Sequence, residues 1–232
     1  MHRARSRGAD YRREAGVVNG RCRDIAREGE GGIVRRMTAE LASHELMSVA
    51  DYLEWEEAAE VRHEYVGGVV YAMAGGTFPH AAIGTNVVGI LHRFLRGKSC
   101  RPFGSDLKLR IEYPAHTRLY YPDAMVVCQP GSPREHFHRH PTIIVEVLSE
   151  STRRTDESEK RDAYFTIESL RAYVLLEQDE AAAVVWRRRD QGFVREVHVG
   201  LGAVIELPEI EARLTLAEVY EAVEFPSPNS KG

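Results

Sequence analysis

Apolar residues recur along this chain with two periods. Over residues 48–60, SVADYLEWEEAAE, the positions Val49, Tyr52, Leu53, Trp55 and Ala59 approximate one helical face behind a capping Ser48. A second helix is predicted over 79–96. Pro79 opens it, Ala82, Ile83, Val87, Ile90, Leu91 and Leu95 share a face, and Gly97 ends it. Between the two, HEYVGGVVYAMAGG (63–76) reads as a hairpin turning at Gly67-Gly68. Alternation then takes over. In SDLKLRI (105–111), Leu107, Leu109 and Ile111 face one way, and Asp106, Lys108 and Arg110 the other. LYYPDAMVVC (119–128) and TIIVEVL (142–148) are apolar runs of the kind buried on both faces of a sheet. Residues 149–167 carry the capping residues, early acids and later bases of a helix, with Ala163, Tyr164 and Ile167 toward the core. Strands follow at 171–178 and 181–188, then a turn at Asp190-Gln191-Gly192 into 193–199, and a short helix near 215–223. Helix, hairpin, helix, strands, helix, strands predicts a mixed α/β sheet with helices on its faces.

At 232 residues, 43% hydrophobic and 28% charged, the chain is long enough to bury a substantial core. No run of eighteen apolar residues exists, so no membrane-spanning helix and no membrane partner is expected. The start, MHRARSRGADYRRE, has positive charge but no apolar stretch, which excludes a secretory signal. Cys22, Cys100 and Cys128 are far apart and form no CxxC. Neither a metal cluster nor a disulfide framework is expected from them, and a cytoplasmic location follows. The net charge of −4 is unevenly spread: residues 1–36 hold ten Arg against five acids, leaving the rest of the chain at −9. Residues 1–36 are expected to be a disordered Arg-rich arm, or to precede a true start at Met37 or Met47. Residues 37–225 form the expected domain and 226–232 a flexible tail. The acidic body implies weak, salt-sensitive binding to any nucleic acid and suits a carboxylate site that a cation would neutralise.

Two of those carboxylates stand where acids are disfavoured. Glu146 lies in the middle of TIIVEVL, and Asp123 follows Pro122 at the head of an apolar strand. If these strands are neighbours, both carboxylates converge at one sheet edge. Mg²⁺ takes oxygen ligands of this kind, usually one or two carboxylates completed by water and substrate phosphate. Glu64, at the start of the hairpin, is a third acid that would complete the cluster. Lys160 is a cation in the 149–167 helix that would orient the attacking water and stabilise charge on a scissile phosphate. Read singly, each has a structural role available: an ion pair for Glu146, a turn for Asp123, a solvated i,i+4 pair with Asp156 for Lys160. His136, His138 and His140 read as a polar loop, His80 as a capping or packing residue that could also face the site, and Arg187, Arg188 and Arg189 as a solvated hairpin end. The paired glycines at 67–68 and 75–76 read as turns.

Pro122-Asp123 followed by Glu146-Val147-Leu148 is similar to the PD-(D/E)XK nuclease signature. HEYVGGVVYAMAGG, FGSDLKLRI, YYPDAMVV and IIVEVLSESTRRTDESEKRDAYF together resemble the Uma family of restriction endonucleases, over about residues 47–190. The resemblance implies a restriction-endonuclease-like α/β/α sandwich around a mixed sheet. It also implies Mg²⁺-dependent hydrolysis of DNA phosphodiesters, with Mn²⁺ as a substitute metal. Leu148 stands where the signature has its lysine. The resemblance moves that lysine to the following helix, where Lys160 is offered, with Lys108 as a second choice. Without such a lysine the chain would be an inactive DNA-binding or regulatory module; a nuclease acting on RNA is a third reading. Double-strand cutting with one site per chain requires two subunits, so a homodimer is expected.

Overall fold

The computed structural model describes residues 46–129 and 131–226, all within one compact unit. The expectations for residues 1–36 and for most of the 226–232 tail lie outside the described residues.

Helix α1 (Val49–Glu57) starts where the sequence places it, with the Ser48 hydroxyl accepting the Asp51 N–H. It buries Tyr52 and Glu56 while Trp55 stays exposed. The hairpin β1 (His63–Val66) and β2 (Val69–Ala72) turns at Gly67 and Gly68, both at positive φ, where a side chain would be strained. Helix α2 (Phe78–Leu95) is capped by Thr77, and Gly97 at φ +78° reverses the chain beyond it.

The remaining strands divide between two sheets. β4 (Lys108–Glu112), β5 (Thr117–Tyr120) and β7 (Phe137–His138) join the hairpin in the order β2-β1-β5-β4-β7. The second sheet contains β3 (Arg101–Gly104), β6 (Ala124–Val127), β8 (Pro141–Leu148), β9 (Ala172–Glu177), β10 (Ala182–Arg189) and β11 (Gly192–Val199). Their order is β11-β10-β9-β8-β6-β3. β8 and β9 are parallel and the other pairings of this sheet are antiparallel. The β8–β9 crossover carries α3 (Arg153–Thr155), a π-helical turn (Asp156–Lys160) and α4 (Arg161–Phe165). A hairpin of β12 (Val204–Leu207) and β13 (Ala212–Thr215) and helix α5 (Leu216–Val219) follow.

The six-stranded sheet is covered on both faces. Ile83, Val87 and Leu91 of α2 pack with Leu214 of β13 and Val219 of α5 against Val145 and Val174. On the other face Leu109 and Tyr120 of the first sheet pack with Ala163 and Tyr164 against Met125, Ile144 and Tyr173. Fully burying each such aliphatic side chain contributes about 1.5–3 kcal/mol. The architecture is the expected mixed α/β one. Among the described residues no helix is long and apolar enough to cross a membrane.

Several expectations are corrected. The apolar run 119–128 is not one strand: β5 serves the first sheet and β6 the second, and Pro122, which lacks an N–H, sits at the changeover. β3, β12 and β13 are strands that the sequence reading did not announce. Lys108, expected on a polar face, is buried beneath Tyr121. Arg187 is not solvated; it is buried against Glu196 and Glu209. Arg188 donates to the carbonyls of Phe165, Ile167 and Leu170. Cys100 and Cys128, expected to stay reduced, form a disulfide. Arg101 pairs with Val127 across β3 and β6, which brings the two cysteines together on the next rung.

Candidate active site

Strand pairing alone places the two central acids. Ala124 of β6 lies opposite Val145 of β8, so one rung further out Asp123 lies opposite Glu146. Directly opposed residues of an antiparallel pair point to the same face. Two backbone hydrogen bonds fix the arrangement: Asp123 Oδ2 accepts the Val147 N–H at 2.7 Å, and Glu146 Oε2 accepts the Asp123 N–H at 3.3 Å. Each carboxylate thus holds the strand of the other.

Lys160 enters from the crossover segment. Its Nζ lies 3.0 Å from Glu64 Oε1, 3.3 Å from Glu146 Oε1 and 3.2 Å from Asp156 Oδ1. The last contact is an i,i+4 pair within the π-helical turn, and such turns recur at functional sites. The Tyr164 hydroxyl donates to Glu146 Oε1 at 2.7 Å, and the Tyr120 ring centroid lies 5.7 Å from Nζ. Lys160 and Glu146 are both buried, so neither charge is screened by water to any extent. Burial pulls the Lys160 ammonium down, but Glu146, Glu64 and Asp156 outweigh it and its pKa stands well above the ordinary lysine value. Burial pushes the Glu146 carboxyl up; Lys160 opposes this, and Asp156 and Asp123 add to it. Burial likewise raises Asp156, with Lys160 opposing.

Asp123, Glu146, Glu64 and Lys160, all read from the sequence, therefore meet at one place. Lys108 does not join them. It sits 5.2 Å from the Tyr121 ring centroid, with no ion pair to these acids among the described residues, and burial lowers its pKa. Three further residues belong to the cluster. Asp156 was visible only as the i,i+4 partner of Lys160, and Tyr164 only as a core residue. His80, read as a capping or packing residue, brings Nε2 to 3.3 Å from Asp123 Oδ2. Its pairing with Asp123 is not legible locally, because the helix and the strand are joined only by the fold. The histidines of the 136–140 loop stay apart from the cluster. His136 pairs with Glu57, and His138 is buried, accepting the His140 N–H.

The cluster opens on a cleft of about 820 Å³, lined also by Arg62, Thr77, Ser149 and Thr152. The donor chemistry fits a hard divalent cation. Three carboxylates, those of Glu64, Glu146 and Asp156, lie against one ammonium, and a fourth, Asp123, is joined to Glu146 through its N–H. Among the described residues no group of three acids, histidines or cysteines stands at metal-holding spacing. The Lys160 ammonium lies between the oxygens instead.

The family model for Uma2, described as "Putative restriction endonuclease", matches residues 49–218. Two uncharacterized proteins of Synechocystis sp. are similar. One, slr1290, is 30% identical over 181 residues, 77% of this chain and 94% of its own length. The other, sll1609, is 30% identical over 142 residues, 60% of this chain and 78% of its own length. The crystal structure of a "putative nuclease belonging to DUF820" from Anabaena variabilis superposes with a TM-score of 0.59 at 18% identity. The match covers 72% of this chain and 93% of that one, a likeness of fold. Every residue of the carboxylate–lysine cluster lies inside the matched span, and the chain belongs to the Uma2 family.

Proposed function

We propose that this chain is a metal-dependent endonuclease that hydrolyses DNA phosphodiesters in the cleft above Glu146. One observation carries the reading: a buried lysine within 3.0–3.3 Å of three carboxylates, with the Asp123 N–H donating to one of them, Glu146. A cluster of this charge in a core is costly unless it serves a site.

Asp123 and Glu146 would hold Mg²⁺, with Glu64 as an auxiliary acid. When bound, the ion supplies a water of lowered pKa and polarises a phosphoryl oxygen. The chain's own groups do the rest. The Asp123 and Val147 N–H groups lock the two carboxylates, so that little reorganisation remains at the moment of reaction. Lys160, charged because three acids surround it, orients water and offsets charge growing on the scissile phosphate. Leu148 stands where the signature lysine would, and Lys160 beside Glu146 supports the active reading over an inactive DNA-binding module.

The test is cleavage of supercoiled plasmid with Mg²⁺, Mn²⁺ or EDTA, with matched single-stranded DNA and RNA beside it. Metal-dependent nicking is expected from the unaltered protein and none from Asp123→Ala or Glu146→Ala that remain folded by circular dichroism. Retained cleavage in either variant overturns the assignment. Preference for RNA would move the substrate class. A homodimer is part of the proposal, since one site per chain cuts one strand, and sedimentation tests it.

A further inference from the structure

From its place at the opening of α2, we infer that His80 is the positioning residue of the metal site, holding Asp123 so that its second oxygen faces the cleft. The inference rests on the metal reading above. Asp123 Oδ2 is engaged twice, by the Val147 N–H at 2.7 Å and by His80 Nε2 at 3.3 Å. Both contacts are made to Oδ2, which leaves Oδ1 outside them, and His80 and Asp123 both line the cleft. Outer contacts of this kind, from an imidazole to a metal-binding carboxylate, orient the ligand and set its affinity.

The backbone around His80 is arranged for that contact. Thr77 caps the helix, and its hydroxyl donates to Gln178 Oε1, just past the end of β9, at 2.7 Å. The imidazole packs beside Gly76. A Cβ built on Gly76 would come within 2.9 Å of His80 Nδ1 and 3.4 Å of Cγ, so a larger residue there would force the ring to shift. Gly75, its neighbour, has nothing within 4 Å of a built Cβ. The second paired glycine therefore has a use beyond the turn: it gives the ring room on the side away from Asp123. The role is separate from that of Lys160, which approaches Glu146 and Glu64 from the opposite helix.

Calorimetry with Mn²⁺ on the full chain, with folding checked by circular dichroism, tests this. His80→Ala is expected to weaken Mn²⁺ binding by about 10–100-fold, the usual cost of losing an outer partner. His80→Gln, which can present an N–H at the same reach, is expected to restore most of the affinity. Gly76→Ala should weaken binding in the unaltered chain and change nothing further in His80→Ala, because its effect runs through the ring. Should His80→Ala fail to fold, Gly76→Ala with its partner His80→Gln still decides the matter. Unchanged affinity in His80→Ala, or equal losses from Gly76→Ala in both backgrounds, overturns the role. No Mn²⁺ binding by the unaltered protein overturns it together with the metal reading. Binding without any cleavage overturns the nuclease alone.

Discussion

Replacing Lys160 with Met keeps the side-chain volume nearly constant and deletes the charge. Near-isosteric exchange in a core costs less than about 1.5 kcal/mol, so packing contributes little. The electrostatic loss dominates. Nζ is buried against three carboxylates at 3.0, 3.3 and 3.2 Å, and removing one partner of a buried pair costs about 3–5 kcal/mol. For a domain of this size each kcal/mol lowers Tm by about 2–4 °C, so Lys160→Met should melt about 6–20 °C lower at neutral pH. The pH dependence carries a second signature. The Glu146 pKa is already raised by burial, and without Lys160 it rises further. A carboxyl with a raised folded pKa binds more protons folded than unfolded, so the deficit grows as pH rises above the unfolded carboxyl range, about 4.3, and shrinks on acidification. Thermal unfolding of both proteins between pH 5 and 8 measures this. A loss below about 1 kcal/mol, or a deficit that does not narrow toward pH 5, would refute the placement of a charged Lys160 among these acids.

Two further outcomes test the fold around the site. The Arg187 guanidinium holds the Glu196 carboxyl below the usual carboxylate range, so that contact stabilises the fold above the unfolded glutamate pKa. Its contribution disappears as pH falls through the depressed folded value, and Glu196→Gln should flatten the acid limb of the stability curve measured by urea unfolding below about pH 4.3. Reducing the Cys100–Cys128 disulfide opens a loop with a sequence separation of 28 and should cost about 3–4 kcal/mol. Equal Tm with and without dithiothreitol would show that the bridge does not form in solution.

Local patterns determined much of this protein from the sequence alone. Helical spacing over 79–96, glycines at the Gly67-Gly68 turn and the continuous apolar run of β8 each act on neighbouring residues, so they survive without knowledge of the fold. Asp123 and Glu146 were legible for the same reason: a carboxylate in an apolar strand is a local contradiction. Other features required strand order and packing. The run 119–128 was divided between two sheets because Pro122 cannot continue a ladder, which periodicity does not register. Lys160 looks like a solvated helix residue until a π-helical turn and the parallel β8–β9 crossover bring it under Glu146. His80, Gly76 and the Cys100–Cys128 pair were decided only in three dimensions. The sequence pattern records which face each residue presents, and long-range contacts depend on which elements meet, which is set by the burial of whole faces at once.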